Sequence, residues 1–360
     1  MLNNIRWLVP ETGTSPACEN KEIVVSSRVR VARNLDGIPF EIKIKTNEAQ
    51  RVLDLTRSVI ENRLHGKFYD LHKISPLERE SLLECHLISP GFLKEDRPAG
   101  VFITDNVRLS IMINEEDHLR LQGLSCGLNL AEISGDVFDA EDKLCADLGF
   151  AFHETFGFLT SCPTNIGTGM RASVLLHLPG LVFSSEVEKA LKGATNLGIN
   201  IRGIYGEGTE IRGNLFQISN QHTLGLKEED LIETMTKFAR MIIDVESKTR
   251  DIIIKKARVE FEDKVARSLA ILRSARVLSS NEVLNLLSAV RMGIGLGIIQ
   301  DVSLDTINEI MLVSRPANLQ LYFGEILEEH ERDIRRAEYV RDRLTEKKEP
   351  EPRGTGEPKK

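Results

Sequence analysis

Hydrophobic and polar positions alternate along several short segments in the first half of the chain. In VVSSRVRV, Ser26, Arg28 and Arg30 share one face by the two-residue period of a strand, and the valines occupy the other. VRLSIMI and RASVLLHL alternate in the same way. No strand–helix–strand rhythm repeats between residues 23 and 220. The pattern therefore favours an antiparallel or mixed α+β sheet over a doubly wound parallel one.

The second half of the chain has the apolar spacing of helices. Leu231, Met235, Phe238, Ile242 and Val245 recur at intervals of four, three, four and three, which makes one apolar helix face. The same reasoning predicts further helices at 251–274, 281–297, 303–313 and 318–345, the last of them long and charged.

These patterns divide the chain into four parts. We predict a short N-terminal segment (1–22), an α+β unit (23–250), a helical unit (251–345) and a tail (346–360). The tail is rich in Pro, Glu and Lys, a composition typical of disorder. A chain of 360 residues fits two domains at roughly 150 residues each.

Charge and composition narrow the classes of function. The net charge of −7 argues against wholesale binding of nucleic acid or anionic membranes, although a local basic cluster could still hold phosphate. The longest apolar run, 289–299, is interrupted by Arg291 and is too short to span a membrane. The start of the chain lacks a signal-peptide pattern. We expect a soluble, cytoplasmic protein.

The five cysteines are widely spaced and odd in number, and no CxxC motif occurs. This distribution argues against a disulfide framework or a structural zinc site and fits a reducing compartment.

Arginines recur within or just after the strand-like segments. Arginine binds phosphate through a planar fork of donors, and several on one sheet face could cradle a triphosphate. A solvated strand face is the alternative interpretation. No GxxxxGK[ST] motif occurs, so a P-loop is excluded. The arginines are Arg28, Arg30, Arg120, Arg171 and Arg202.

Two acidic segments and one cysteine loop follow such strands. NEEDH (114–118) follows an apolar strand, and GEGTE (206–210) follows another within a glycine-rich loop. Acidic residues in such places are more often simple turn residues. Cys162 lies in the polar loop SCPTNIGTG and would be a thiolate if cations surround it, whereas a lone cysteine is more often structural.

Taken together, four motifs resemble the phosphagen (guanidino) kinases, the family of arginine and creatine kinases. SSRVRVAR, NEEDHLR, CPTNIGTGMRAS and RGIYGEGTE occur in the family's order over roughly residues 23–250. The resemblance implies a catalytic domain with a mainly antiparallel sheet flanked by helices. It also implies phosphoryl transfer from ATP to a guanidinium, with Mg²⁺ held mainly through the ATP phosphates and no dedicated protein metal site.

The resemblance assigns roles to individual residues. Glu116 and Glu207 match the paired carboxylates that hold the guanidinium, and Cys162 matches the substrate-site cysteine. The residues that match the ATP site are Ser26, Ser27, Arg28, Val29, Arg30, His86, Arg120, Arg171, Ala172, Ser173, Val174, Leu175, Arg202, Gly203, Ile204, Tyr205, Gly206 and Glu207.

The order of the units resembles one branch of the family, the bacterial protein-arginine kinases. Metabolite-directed members have a helical domain before the SxRVR strand, whereas here about 22 residues precede it and a helical region follows. Gly208 stands where those members have a histidine, which opens space for a bulkier substrate.

Within the helical region, RDIRRA is similar to the RDxxRA element that senses phosphoarginine in that branch. Arg332 and Arg336 lie four apart and would grip a phosphoryl group together, while Asp333 would pair with the attached guanidinium. A solvated charged helix is the alternative. The six residues are Arg332, Asp333, Ile334, Arg335, Arg336 and Ala337.

The resemblance thus predicts ATP-dependent phosphorylation of arginine in proteins, marking them for Clp-type degradation in a stress response. It implies protein substrates with accessible arginines, a zinc-binding activator, a Clp chaperone and a stress-response repressor as partners. It implies no membrane or direct nucleic-acid binding, and homodimer formation stays open.

The rival hypotheses are a kinase for free arginine or another small guanidino compound, and an inactive phosphoarginine-binding adaptor. The presence of both glutamates, Cys162 and the five arginines argues against the adaptor.

Overall fold

An antiparallel sheet forms the centre of the molecule. The computed structural model describes residues 6–9, 18–94, 96–205 and 211–345. Within these ranges eight strands pair in the order β2-β3-β4-β5-β1-β8-β10-β9, and β6 and β7 form a separate hairpin. The strands are β1 (Val24–Arg33), β2 (Gly66–Asp70), β3 (Gly100–Thr104), β4 (Leu109–Ile113), β5 (Leu119–Cys126), β6 (Phe152–His153), β7 (Gly157–Phe158), β8 (Met170–His177), β9 (Ile199–Tyr205) and β10 (Ile211–Asn220). The predicted α+β class with a mainly antiparallel sheet is confirmed.

Helices flank this sheet and make up the region after it. In chain order they are α1 (Thr46–Arg63), α2 (Pro76–Glu84), α3 (Leu130–Cys145), α4 (Pro179–Phe183), α5 (Val187–Leu191), α6 (Glu228–Lys256), α7 (Arg258–Ser274), α8 (Ser280–Gly295), α9 (Leu304–Val313), α10 (Pro316–Phe323) and α11 (Glu329–Thr345). None of the described helices combines the length and apolarity that crossing a membrane requires.

One face of the sheet is packed against helices. The alternating valines of β1, Val29 and Val31, are fully buried in the same cluster as Ile133 and Val137 of α3. Gly123 of β5 lets α3 approach closely, since a Cβ there would lie 2.6 Å from Ile133 and 2.7 Å from Val137. The opposite face keeps the polar residues of β1 and holds the candidate site.

The helix boundaries differ from the sequence predictions at two places. Residues 251–274 do not form one helix, because α6 continues across residue 250 to Lys256 and α7 begins at Arg258. The apolar face of α6 extends to the buried Ile253, and the chain breaks only at Ala257. The long helix predicted at 318–345 is two helices, because Gly324 adopts φ +70° and ends α10.

The helices predicted at 281–297 and 303–313 match α8 and α9. Each begins after a serine cap: Ser279 accepts a hydrogen bond from the Glu282 amide, and Ser303 from the Thr306 amide. The predicted tail, 346–360, lies outside the described residues.

Two cysteines are joined in the fold. Cys18 forms a disulfide with Cys126 at the end of β5, 108 residues away in sequence. The cysteine spacing predicted no such bond, because spacing along the chain does not reveal that the fold brings these Cα atoms within 5.6 Å. Cys85, Cys145 and Cys162 are free.

A buried ion pair connects α6 to the sheet region. Glu246 and Arg250 lie one helical turn apart, with side chains 0% and 4% exposed, and Arg250 Nε donates to Glu246 Oε1 at 2.7 Å. Glu246 also accepts hydrogen bonds from the amides of Gly180 and Leu181 at the start of α4. Replacing one member would leave the other charge buried without its partner.

Glu246→Ala is therefore expected to lower the free energy of unfolding by about 3–5 kcal/mol. The matched control is Glu233→Ala on the same helix, which removes an exposed pair with Lys237 of the same spacing and should cost below about 0.5 kcal/mol. Urea denaturation followed by circular dichroism measures both. Equal losses in the two variants would contradict this account.

Candidate functional site

The arginines predicted to bind phosphate lie together on the polar face of the sheet. The register places Arg30 of β1 opposite Arg171 of β8, and Arg28 opposite Ser173. Directly paired side chains point to the same side of a sheet. We call this surface the arginine face. Its polar members are Ser26, Arg28, Arg30, Arg120, Gln122, Arg171, Ser173, Arg202, Gln217 and Ser219.

The guanidinium groups on this face repel one another. Burial and the charges of Arg120 and Arg171 lower the pKa of Arg28 to about 10. Burial, together with Arg28, Arg120 and Arg171, also lowers the pKa of Arg30 well below its usual value. For Arg171 the pKa is lowered by burial and by Arg202 and Arg120. The face therefore concentrates positive charge that an anion would stabilise.

A pocket opens at one end of the arginine face, and the N-terminal segment contributes to its wall. Trp7 lies there beside residues of β1, β5, β8 and β10. Sequence reasoning missed Trp7, and its only signal was that it is the chain's single tryptophan. The pocket is lined by Trp7, Ser26, Arg28, His86, Leu124, Ser173, Leu175 and Gln217. A larger pocket between β9 and α6 contains no predicted site residue.

His86 reaches this pocket from the turn that follows α2. Its backbone has φ +60°, an uncommon conformation for a residue with a side chain. Its carbonyl accepts a hydrogen bond from Gln122 at 2.7 Å, and its ring contacts Trp7 edge to face. Burial, with Arg315 and Arg28 nearby, lowers the pKa of His86 to about 3. The imidazole is therefore neutral at physiological pH.

Glu116 follows β4 and meets the arginine face at Arg120. Arg120 donates to Glu116 Oε2 at 2.8 Å and to Glu115 Oε1 at 2.9 Å. The Glu115 side chain is 9% exposed and also accepts a hydrogen bond from Ser89, whereas that of Glu116 is 40% exposed. Glu116 thus presents a carboxylate to solvent at the edge of the arginine face.

The buried side chain of Asp117 holds the loop that contains Cys162 close to the segment that contains Glu116. Asp117 Oδ1 accepts hydrogen bonds from the Ser161 amide and from the Asn34 side chain, both at 2.7 Å. Because Asp117 follows Glu116 and Ser161 precedes Cys162, this contact holds the two predicted substrate-site residues near each other. The Cys162 thiol is partly exposed and lies 3.0 Å from the Thr164 hydroxyl. Asp117 belongs to the NEEDH segment, and the sequence alone does not indicate this structural contact.

Several residues predicted for the ATP site have side chains on the opposite face. Strand alternation directs them into the apolar core, where each is fully buried. Their side chains therefore cannot contact a ligand on the arginine face. They are Ser27, Val29, Ala172 and Val174.

The glycine-rich part of the predicted site is only partly described. Arg202 and Gly203 lie in β9, while the side chains of Ile204 and Tyr205, and all of Gly206, Glu207 and Gly208, are outside the described residues. The pairing of Glu116 with Glu207 stays a prediction.

The RDIRRA element is arranged differently from the expectation. Arg336 is 1% exposed and donates to the carbonyls of Leu278 and Ser314 and to Asp333. It therefore cannot grip an external phosphoryl group together with Arg332 in this conformation. Arg332 and Asp333 remain partly exposed, although Arg332 donates to the Leu327 carbonyl.

The other three members of the element are also placed by the fold. Arg335 pairs with Glu325 and Glu338, Ile334 is 42% exposed, and Ala337 is buried.

Two family models together match most of the chain. A family model described as ATP:guanido phosphotransferase, C-terminal catalytic domain, matches residues 48–249. A second, described as Protein-arginine kinase McsB C-terminal domain, matches residues 258–355. Strand β1, with Arg28 and Arg30, precedes the first match but lies in the middle of the same sheet.

Curated relatives cover nearly the whole chain. A protein-arginine kinase of Geobacillus sp. (strain WCH70) is 42% identical over 331 residues, 90% of this chain and 91% of the relative. A protein-arginine kinase of Caldanaerobacter subterraneus subsp. tengcongensis is 43% identical over 334 residues, 91% and 98% of the two chains.

Solved structures share the fold. The substrate-free duplicated taurocyamine kinase from Schistosoma mansoni is similar with a TM-score of 0.58 and 26% identity, over 76% of this chain and 41% of that chain. Lombricine kinase is similar with a TM-score of 0.56 and 22% identity, over 66% of this chain and 70% of that chain. From the family matches and the curated relatives together, the chain belongs to the protein-arginine kinase family, phosphotransferases with a guanidino acceptor.

Proposed function

We propose that this protein transfers the γ-phosphoryl group of ATP to arginine side chains of proteins. The observation that carries the proposal is the arginine face, which ends at the exposed carboxylate of Glu116. A polyanion needs positively charged partners, and a guanidinium needs a negatively charged one. The site provides arginines and a carboxylate within one salt-bridged cluster. Arg120 Nη2 and Glu116 Oε2 lie 2.8 Å apart. ATP bound at the arginine face and a guanidinium bound at Glu116 would therefore lie next to each other.

The arginines would bind and orient the phosphates. Arg28, Arg30 and Arg171 are held in a sheet, so little reorganisation is needed when a triphosphate arrives. Burial and the repulsion from neighbouring arginines lower their pKa values, and the negative charge of the phosphates would relieve the repulsion. In phosphoryl transfer such groups act by positioning and by stabilising charge that develops in the transition state.

Glu116 would orient the acceptor guanidinium and accept its proton. A guanidinium is protonated at physiological pH and is a poor nucleophile until it loses a proton. Its planar donors fit a carboxylate, and Glu116 already holds the guanidinium of Arg120 in this structure. Glu207 is proposed as the second carboxylate, and Cys162 as a neighbour of the reacting nitrogen.

Mg²⁺ is proposed to be held mainly through the ATP phosphates. Across the ranges that the structure describes, no three His, Cys, Asp or Glu residues group as metal ligands. The residues present are suited to phosphate oxygens, and Glu115 is already engaged by Arg120 and Ser89. When bound, the ion would neutralise charge on the phosphates.

The acceptor is proposed to be arginine within a protein. The supporting facts are the relatives named protein-arginine kinase, aligned over about 90% of the chain, and Gly208, which adds no side chain beside Glu207. A kinase for free arginine or another small guanidino compound is the second candidate. The similar solved structures named taurocyamine kinase and lombricine kinase favour it, at lower identity.

The cellular role follows from the resemblance and is likewise a proposal. We propose cytoplasmic labelling of proteins for Clp-type degradation during stress, with a zinc-binding activator, a Clp chaperone and a stress-response repressor as partners. Arg332 and Asp333, which are both partly exposed, are the proposed contacts for phosphoarginine. Calorimetry with free phosphoarginine tests them, and equal heats for the wild type and the doubly substituted Arg332→Ala, Asp333→Ala variant would exclude this site.

The acceptor can be decided directly. With Mg-ATP, we expect acid-labile phosphate on the arginines of an unfolded protein substrate and little on free arginine, because the site is proposed to accept a projecting side chain. Mass spectrometry under neutral conditions maps the modified residues. Rapid phosphorylation of free arginine alone would establish the metabolite kinase instead, and phosphate confined to Ser, Thr or Tyr would remove the guanidino assignment.

Glu116→Gln should lower kcat by ~10²–10⁴ while ADP binding stays nearly unchanged. The amide keeps the shape of the side chain but cannot accept the proton. Glu61→Gln is the matched control, since it makes the same chemical change on an exposed face of α1. Turnover is followed with radiolabelled ATP and binding by calorimetry. Normal turnover of the Glu116 variant would refute its role.

His86 should remain uncharged between pH 5 and 8. Its pKa of about 3 lies far below the usual 6.5, so the folded protein does not take up a proton there as the pH falls through 6.5. The unfolded chain does take up a proton at this residue. The free energy of unfolding therefore decreases, through this group, as the pH falls from 6.5 to about 3. NMR titration of the imidazole resonance, assigned with His86→Asn, measures this, and a midpoint near 6.5 would contradict it.

A further inference from the structure

The helical region contacts the nucleotide side of the molecule through α10. Glu84, the last residue of α2, accepts hydrogen bonds from the amides of Ala317 and Asn318 at 3.0 Å and 2.8 Å. These are the first amides of α10 that carry hydrogen, because Pro316 precedes them. A carboxylate at this position satisfies donors that the helix leaves open and interacts favourably with the helix dipole. Glu84 therefore caps a helix that begins 232 residues later in the chain.

Further hydrogen bonds surround this cap. Asn318 is 2% exposed; its Oδ1 accepts from the Ser81 hydroxyl at 2.6 Å, and its Nδ2 donates to the Leu312 carbonyl at 2.9 Å. Arg315 Nη1 donates to the Glu84 carbonyl at 3.4 Å. The C-terminal turn of α2 is thus held by side-chain and backbone groups of the helical region.

The chain that leaves this turn leads at once to the nucleotide pocket. Cys85 is buried, and its carbonyl accepts a hydrogen bond from the Trp7 indole at 3.0 Å. His86 follows with φ +60°, and its carbonyl is held by Gln122. The turn is therefore fixed from three sides, by α10, by Trp7 and by β5. A residue in such a backbone conformation keeps it only when its surroundings impose it.

We infer that Glu84 is a positioning residue for the nucleotide: by capping α10 it fixes the turn that presents His86, so docking of the helical region sets the affinity for ATP. This rests on the proposed ATP site at the arginine face. Glu84 does not line the pocket, so it acts through His86 and the cap. The helical region is then part of the nucleotide site and not only a docking surface.

A double-mutant cycle tests the inference on the full-length protein. Quenching of Trp7, the single tryptophan and a neighbour of His86, reports the binding of ADP, and calorimetry checks it. We expect Glu84→Ala to raise the Kd for ADP about tenfold, which corresponds to about 1.4 kcal/mol, with kcat at saturating ATP nearly unchanged. Glu80→Ala, an exposed change one turn earlier on the same helix, should leave the Kd unchanged.

The second arm of the cycle separates positioning from general destabilisation. If Glu84 acts through His86, the doubly substituted Glu84→Ala, His86→Ala protein binds ADP no more weakly than His86→Ala alone. Additive effects, or an unchanged Kd for Glu84→Ala, would overturn the inference. Thermal unfolding confirms that each variant is folded, and Glu84→Gln, which keeps one carbonyl acceptor, replaces Glu84→Ala if that variant does not fold. Should His86→Ala and Arg28→Ala both bind ADP normally, the proposed ATP site itself fails.

Discussion

Repulsion among guanidinium groups on one sheet face is the constraint around which this molecule is organised. Burial lowers the pKa values of Arg28, Arg30 and Arg171, and the positive charges of neighbouring arginines lower them further. Such a cluster disfavours its own assembly, so the rest of the sheet must supply the free energy that holds it together. The opposite face does so, with the valines of β1 packed against α3 in the apolar core.

The carboxylates at the edge of the arginine cluster offset part of its positive charge. Glu115 and Glu116 both engage Arg120, but they do so in different surroundings: one is enclosed and also bonded to Ser89, the other is open to solvent. The enclosed carboxylate compensates the buried arginine, while the exposed one is the proposed partner of the acceptor guanidinium. Under that proposal, two adjacent residues of the same type have different tasks, one structural and one chemical.

The sequence predicted the part of this arrangement that depends on local periodicity. The alternation in VVSSRVRV placed Arg28 and Arg30 on one face, and the structure confirms it. Residues assigned to the ATP site by motif alone, such as Val29 and Val174, point into the core. Gly324 ended a helix that the charge pattern suggested was continuous. The resemblance to a family predicted Glu116 and Cys162 as site residues. Hydrophobic periodicity alone could not have identified them.

Contacts between distant parts of the chain had no signal in the sequence. The hydrogen bond from Ser161 to Asp117 and the cap of α10 by Glu84 join residues 44 and more than 230 positions apart. Arg336 was predicted to bind a phosphoryl group, with a solvated helix face as the alternative, yet the fold buries it against two backbone carbonyls. Each of these depends on the packing of helices against the sheet, and a single sequence does not encode that packing in any local pattern.

The central position of β1 has a consequence for how the chain is made. This strand pairs with β5 about 100 residues later and with β8 about 145 residues later, as the contacts of Ser27 with Gly127 and of Arg28 with Ser173 show. Ribosomes add roughly 5–20 residues per second, so β1 waits on the order of ten seconds for its second neighbour. Throughout that interval one edge of the strand, with its row of unpaired amides and carbonyls, is open to other chains. Among the described strands, the one that carries Arg28 and Arg30 therefore waits longest for its neighbours during synthesis.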